Sequence, residues 1–93
     1  EDGIMIVVMT LERHSNVVLA GPDIVSRGFV YVRESEDLME DAKEVVENAL
    51  DSCLERNITD WGKIKNTVKD ALSDFLWKRT KRSPMILPII MEA

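Results

Sequence analysis

The hydrophobic positions along the chain change character from one segment to the next. Residues 4–11, IMIVVMTL, form a short unbroken apolar run rich in β-branched side chains, and that length favours a strand over a helix. Alternation puts Ile4, Ile6, Val8 and Thr10 on one face and Met5, Val7, Met9 and Leu11 on the other, so both faces call for cover. ERHSN (residues 12–16) reads as a polar turn and NVVLA (16–20) as the returning strand of a hairpin. Further on, the spacing switches to three and four residues. Leu38, Ala42, Val45, Val46, Ala49, Leu50, Cys53 and Leu54 make one stripe of an amphipathic helix. Ser35 is its expected N-cap, with Glu36 and Asp37 at the positive end of the dipole. Asn57 is the expected left-handed cap at its far end. A second stripe, Trp61, Ile64, Val68, Ala71, Leu72, Phe75 and Leu76, predicts a second helix capped by Thr59. Pro84 ends it, and MILPIIM (85–91) is a last strand whose Pro88 points to an edge or a bulge.

The expected architecture is one α+β domain over residues 1–93, ordered β-β-α-α-β. It is a three-stranded sheet with the first strand in the middle and two antiparallel helices packed on one face. Two helices leave the second face of so apolar a sheet bare. That face is expected to meet another domain or another copy of the protein, since a contiguous bare patch of this kind is unusual in a soluble monomer. Met5, Val7, Met9 and Leu11 are the candidate interface residues. Trp77 joins them because it falls on the wet side of the second helix, away from the stripe begun by Trp61.

Composition adds little to this and charge adds more. One cysteine excludes an internal disulfide and suits a reducing, cytoplasmic compartment; Cys53 on the apolar stripe reads as a small buried hydrophobe. No apolar run is long enough for a membrane span. The start at Glu1-Asp2 lacks both Met and the basic n-region of a signal peptide, which suggests a piece of a longer chain. The net charge of −5 argues against a nucleic-acid clamp. Yet the charge is polarised, with nine acids and one base in residues 34–55 against seven bases and two acids in residues 63–82.

Catalytic chemistry is missing. The single His14, in the polar turn, has no companion ligands and no place in a triad, and the four glycines are too scattered for a phosphate loop. No catalytic, cofactor or metal residue is assigned. Two basic features remain as candidate RNA or phosphate contacts: Arg27, between Ser26 and Gly28, and the group Lys78, Arg79, Lys81 and Arg82. The group has a second reading, as cations that complement a helix C-terminus and aid solubility. Residues 21–35, GPDIVSRGFVYVRES, concentrate turn formers among β-branched residues. Gly21-Pro22-Asp23 is expected to turn the chain out of the hairpin, Gly28 to permit a bend, and Phe29, Val30 and Val32 to anchor the approach to Ser35.

That stretch, with the closing TKRSPMILPIIMEA, resembles the C-terminal domain of ribonuclease J, a bacterial nuclease of the metallo-β-lactamase/β-CASP group. The resemblance runs over essentially the whole chain. It implies a parent enzyme with 5′-to-3′ exonuclease and endonuclease activity in RNA decay and maturation. It also implies two zinc ions held elsewhere by His and Asp residues, including an HxHxDH motif that this sequence lacks. For the domain itself it implies a role in oligomer assembly and full activity, with the neighbouring subunit or the catalytic core as partner. Accessory RNA binding by the basic helix end is the alternative.

Overall fold

The computed structural model describes residues 3–12, 15, 17–28 and 35–93. The elements run β1 (Ile4–Leu11), β2 (Val18–Arg27), α1 (Ser35–Glu55), α2 (Trp61–Thr80) and β3 (Met85–Glu92). The sheet order is β2-β1-β3, with β1 antiparallel to β2 and parallel to β3. The expected α+β architecture, central first strand included, is the one observed.

The core forms where β1 meets the helices. Met5, Val7, Met9 and Leu11 are fully buried. Above them lie Leu38, Ala42, Val46, Leu50 and Cys53 of α1 and Ile64, Val68, Leu72 and Leu76 of α2, with Ile86 of β3 beside them. The helical positions recur every four residues, with a last step of three in α1 alone, so each helix offers one ridge to the sheet. Cys53 sits in this core as a small hydrophobe.

The helix hairpin is closed by backbone chemistry. Asn57 adopts the left-handed conformation (φ 58°); its N–H donates to the Leu54 carbonyl at 3.0 Å, and that of Ile58 donates to Cys53 at 3.0 Å. This is a Schellman closure, sealed by Ile58 packing on the core. The second cap departs from expectation. Asp60, not Thr59, caps α2, and its carboxylate accepts from the Gly62 N–H at 2.8 Å and the Lys63 N–H at 3.4 Å. The carboxylate also carries charge to the dipole's positive end, which a threonine hydroxyl does not. Asp60→Ala is expected to lower stability by about 1 kcal/mol, and Thr59→Ala to stay within about 0.5 kcal/mol of the parent. Urea unfolding followed by tryptophan fluorescence checks both.

β2 corrects the reading of Gly21-Pro22-Asp23. The strand does not end at Ala20; it continues through these residues to Arg27. Val8 pairs with Asp23 and Thr10 with Ala20, so one β1 residue, Met9, faces two on β2, Gly21 and Pro22. The segment is therefore a β-bulge. Gly21 has φ +84°, and a Cβ there would lie 2.7 Å from the Val8 carbonyl oxygen. Pro22, preceded by a cis peptide bond, is buried. Gly28 also has a positive φ, as a bend requires. The turn with His14, the anchoring of Phe29, Val30 and Val32, and the side chain of Ser35 lie outside the described residues.

Pro88 sits in an edge strand without a bulge. Met85 donates its N–H to Gly3 and Ala93 to Leu11, so odd-numbered residues of β3 face β1 along the ladder. Pro88, an even position, points its missing donor outward, where no ladder bond is lost.

Candidate functional site: the open sheet face and the basic helix end

Residues paired directly across a sheet share a face. The β1–β2 and β1–β3 registers therefore build the second face in four rows: Arg27, Ile4 and Met85; Val25, Ile6 and Leu87; Asp23, Val8 and Ile89; Ala20, Thr10 and Met91. Neither α1 nor α2 covers them. Val25, Met85, Leu87, Ile89 and Met91 are 41–62% exposed. The candidate interface is thus corrected: Met5, Val7, Met9 and Leu11 are the covered face, and the bare one belongs to Ile4, Ile6 and Val8 with their neighbours on β2 and β3. The helices take the side that carries the two methionines and Leu11, whose longer side chains reach into the helix layer. The signal of the true open face was the alternation in β2 of Asp23, Val25 and Arg27 with Pro22, Ile24 and Ser26. Trp77 is half exposed as expected, but it stands on α2. It lines a hollow with Asp70, Ser73, Asp74 and Ser83 and is not part of the sheet face.

The basic residues fall into two places. Lys78 pairs with Asp74 one helical turn back at 3.0 Å. Arg79 reaches Asp41 of α1 at 2.8 Å and lies 5.7 Å from the centre of the Phe75 ring. Lys81 holds the left-handed C-cap of α2 (φ 58°), its N–H donating to the Trp77 carbonyl at 2.9 Å, and its ammonium stands 5.7 Å over the Trp77 ring. The Arg82 N–H donates to the Thr80 hydroxyl. Arg27, at the opposite end of β2 from the hairpin turn, lines a cleft of about 600 Å³ with Gly3, Ile4, Lys69, Ser83, Pro84, Met85 and Ile86. Lys69 is a cation the sequence reading did not single out, because only the fold brings α2 to this end of the sheet. Ser83 borders both the cleft and the Trp77 hollow.

Metal chemistry finds no foothold among the described residues: no three His, Cys, Asp or Glu side chains gather to hold an ion. No described helix is long and apolar enough to cross a membrane. No described buried side-chain nitrogen or oxygen lacks a hydrogen-bond partner.

The class defined by these elements is a small α+β domain, a mixed three-stranded sheet with a helix hairpin on one face and an apolar surface on the other. The sequence pattern of the family described as "Ribonuclease J C-terminal domain" matches residues 1–93, and the chain belongs to that family. Ribonuclease J2 of Bacillus subtilis (strain 168) is 48% identical over 92 residues, which cover 99% of this chain and 17% of that protein. Ribonuclease J 2 of Staphylococcus aureus (strain NCTC 8325 / PS 47) is likewise 48% identical over 92 residues, with 99% and 16% covered. The chain therefore spans about a sixth of the length of these relatives.

Proposed function

We propose that this domain is the non-catalytic assembly module of a ribonuclease J. It docks through the open face of its sheet onto the catalytic core or another subunit and so supports oligomer assembly and full activity. The observation that carries this is the bare face itself, in which Val25, Met85, Leu87, Ile89 and Met91 stand exposed around Ile4, Ile6 and Val8. A patch this contiguous marks a contact surface in a soluble protein. RNA hydrolysis, exonucleolytic from the 5′ end and endonucleolytic, is assigned to the rest of the parent protein, working in the cytoplasm. The zinc ions implied for the parent do not fit this domain, whose described residues offer no ligand set. No step of hydrolysis is routed through it.

Direct RNA contact receives less support. Lys78 and Arg79 are engaged by Asp74 and Asp41, and Lys81 by Trp77. What favours it at all is the cleft holding Arg27 with Lys69. In the longer protein, Leu87→Lys combined with Ile89→Lys is expected to reduce the assembled mass seen by light scattering and to lower RNA hydrolysis with it. Unchanged mass and rate overturn the reading. Binding of labelled single-stranded RNA by the 93-residue chain, measured by anisotropy at low salt, would instead favour the RNA role.

A further inference from the structure

Arg27, the last residue of β2, and Lys69 of α2 line the same cleft of about 600 Å³ at one end of the sheet. Neither has an ion pair or side-chain hydrogen bond among the described residues. The sequence around each explains why. The positions three and four away from Lys69 along α2 hold Lys65, Asn66, Leu72 and Ser73, so no acid lies one helical turn away. Arg27 pairs with Ile4 across the ladder, and Met85 stands beyond Ile4 in the same row. In a chain with 17 acids and 12 bases, these two cations share a cleft whose described lining holds no carboxylate. Like charges held together repel, and an anion between them relieves that repulsion. We propose that the cleft binds the phosphate of a mononucleotide, whose base lies against Trp77. The site does not rest on the docking reading, since Lys69, Ser83 and Trp77 stand off the open sheet face.

Each part of the ligand follows from a part of the wall. An Arg fork and a Lys point charge are the usual partners of phosphate oxygens, and two cations match the roughly two negative charges of a phosphate monoester at neutral pH. A bare inorganic ion would leave the walls made by Ile4, Pro84, Met85 and Ile86 without contact, and the volume is that of a site for a small organic molecule. The neighbouring hollow shares Ser83 with the cleft and holds Trp77 with Asp70 and Asp74. Lys81 stands over the Trp77 ring at 5.7 Å, yet the residue is still half exposed and offers a surface on which a base can stack. The acids orient the ligand. They repel a phosphate from the hollow and leave the cleft as its place. Asp70, without a partner among the described residues, is free to accept from the amino group of a base. The sugar then falls at Ser83, between the two.

A continuous nucleic-acid strand fits this place less well than a mononucleotide. Proteins that hold a strand track its backbone with a continuous basic groove, and here the other cations of the helix end are engaged, Lys78 by Asp74, Arg79 by Asp41 and Lys81 by Trp77. Each diester of a strand brings one charge to two cations, and the next phosphate along is carried towards Asp70 and Asp74. A net charge of −5 opposes a polyanion further. Both cations are exposed, so salt screens the contact and binding is weak and sensitive to ionic strength.

Titration of the 93-residue chain with adenosine 5′-monophosphate at low salt, followed by amide and indole NMR shifts, provides the test. Saturable binding is expected, with shifts at Gly3, Ser83 and Met85 and at the Trp77 indole. Adenosine, which lacks the phosphate, and 3′,5′-cyclic AMP, whose diester carries a single charge, are expected to bind at least about tenfold more weakly. A single-stranded RNA oligonucleotide with a 5′-hydroxyl is expected to bind more weakly as well. Arg27→Gln and Lys69→Gln should each weaken the monophosphate about tenfold, and Lys65→Gln, on the same helix but outside the cleft, should leave it unchanged. The same spectra verify the folds; if Arg27→Gln does not fold, Lys69→Gln carries the comparison. Absence of saturable binding overturns the proposal, as do glutamine variants that bind like the parent or a Lys65→Gln loss equal to that of Lys69→Gln. Tighter binding of the oligonucleotide than of the monophosphate also overturns it and favours a strand-binding surface. A Trp77 indole that does not shift overturns the placing of the base.

Discussion

Val7→Lys is expected to unfold the domain, whereas Val8→Lys, one residue further along the same strand, is expected to leave it folded. Val7 is fully buried in the central strand beneath both helices. A lysine there must either carry its charge into the core or give it up, and among the described residues no buried carboxylate is there to meet it. The cost is about 4–5 kcal/mol, set against a total stability of roughly 5–15 kcal/mol for a domain of this kind. Val8 is only partly buried, on the open face, and is paired across the ladder with Asp23. A lysine there gains an opposite charge as cross-strand neighbour, so its net cost is expected to stay below about 1 kcal/mol. Urea unfolding followed by circular dichroism reads both effects. If Val8→Lys were the more damaging of the pair, the two faces of β1 would have been assigned the wrong way round.

That pair also shows where the sequence was legible and where it was not. Both helices were readable because their apolar residues fall on one side only, so period alone fixes inside and outside. Strand β1 offers no such contrast. Ile4, Ile6 and Val8 are as hydrophobic as Met5, Val7 and Met9, and a period of two cannot choose between equal faces. The information lies in β2, where Asp23, Val25 and Arg27 alternate with Pro22, Ile24 and Ser26. The charged set is exposed, and among the alternating set Pro22 is buried and the other two partly so. Reading Gly21-Pro22-Asp23 as a turn cut the strand short before that alternation began, and the open face went to the wrong side. The basic residues were legible singly but not as a place. Arg27 and Lys69 are 42 positions apart and meet only because α2 returns to the start of the sheet.

The bulge that hid β2 also determines its register, and Gly21→Ala is expected to cost about 2–3 kcal/mol, near the upper end of the range for a strained backbone position. Two effects combine there. The residue holds φ +84°, a region that L side chains rarely adopt, and the added Cβ would stand 2.7 Å from the Val8 carbonyl oxygen. That oxygen belongs to the central strand and cannot retreat without disturbing pairing on both sides. Escape by flattening the bulge is worse. It would remove the extra residue between Ala20 and Asp23 and shift part of β2 by one position, turning Ile24 outward and Val25 with the two charges inward. Gly28 provides the control. It too has a positive φ, +70°, but the nearest atom to an added Cβ is the Gly3 Cα at 3.7 Å, an ordinary contact. Gly28→Ala therefore meets only the conformational cost, about 1 kcal/mol. Urea midpoints for the two variants should differ clearly, with Gly21→Ala the lower. Equal losses would mean that backbone conformation alone matters at Gly21 and that the bulge can yield to a side chain.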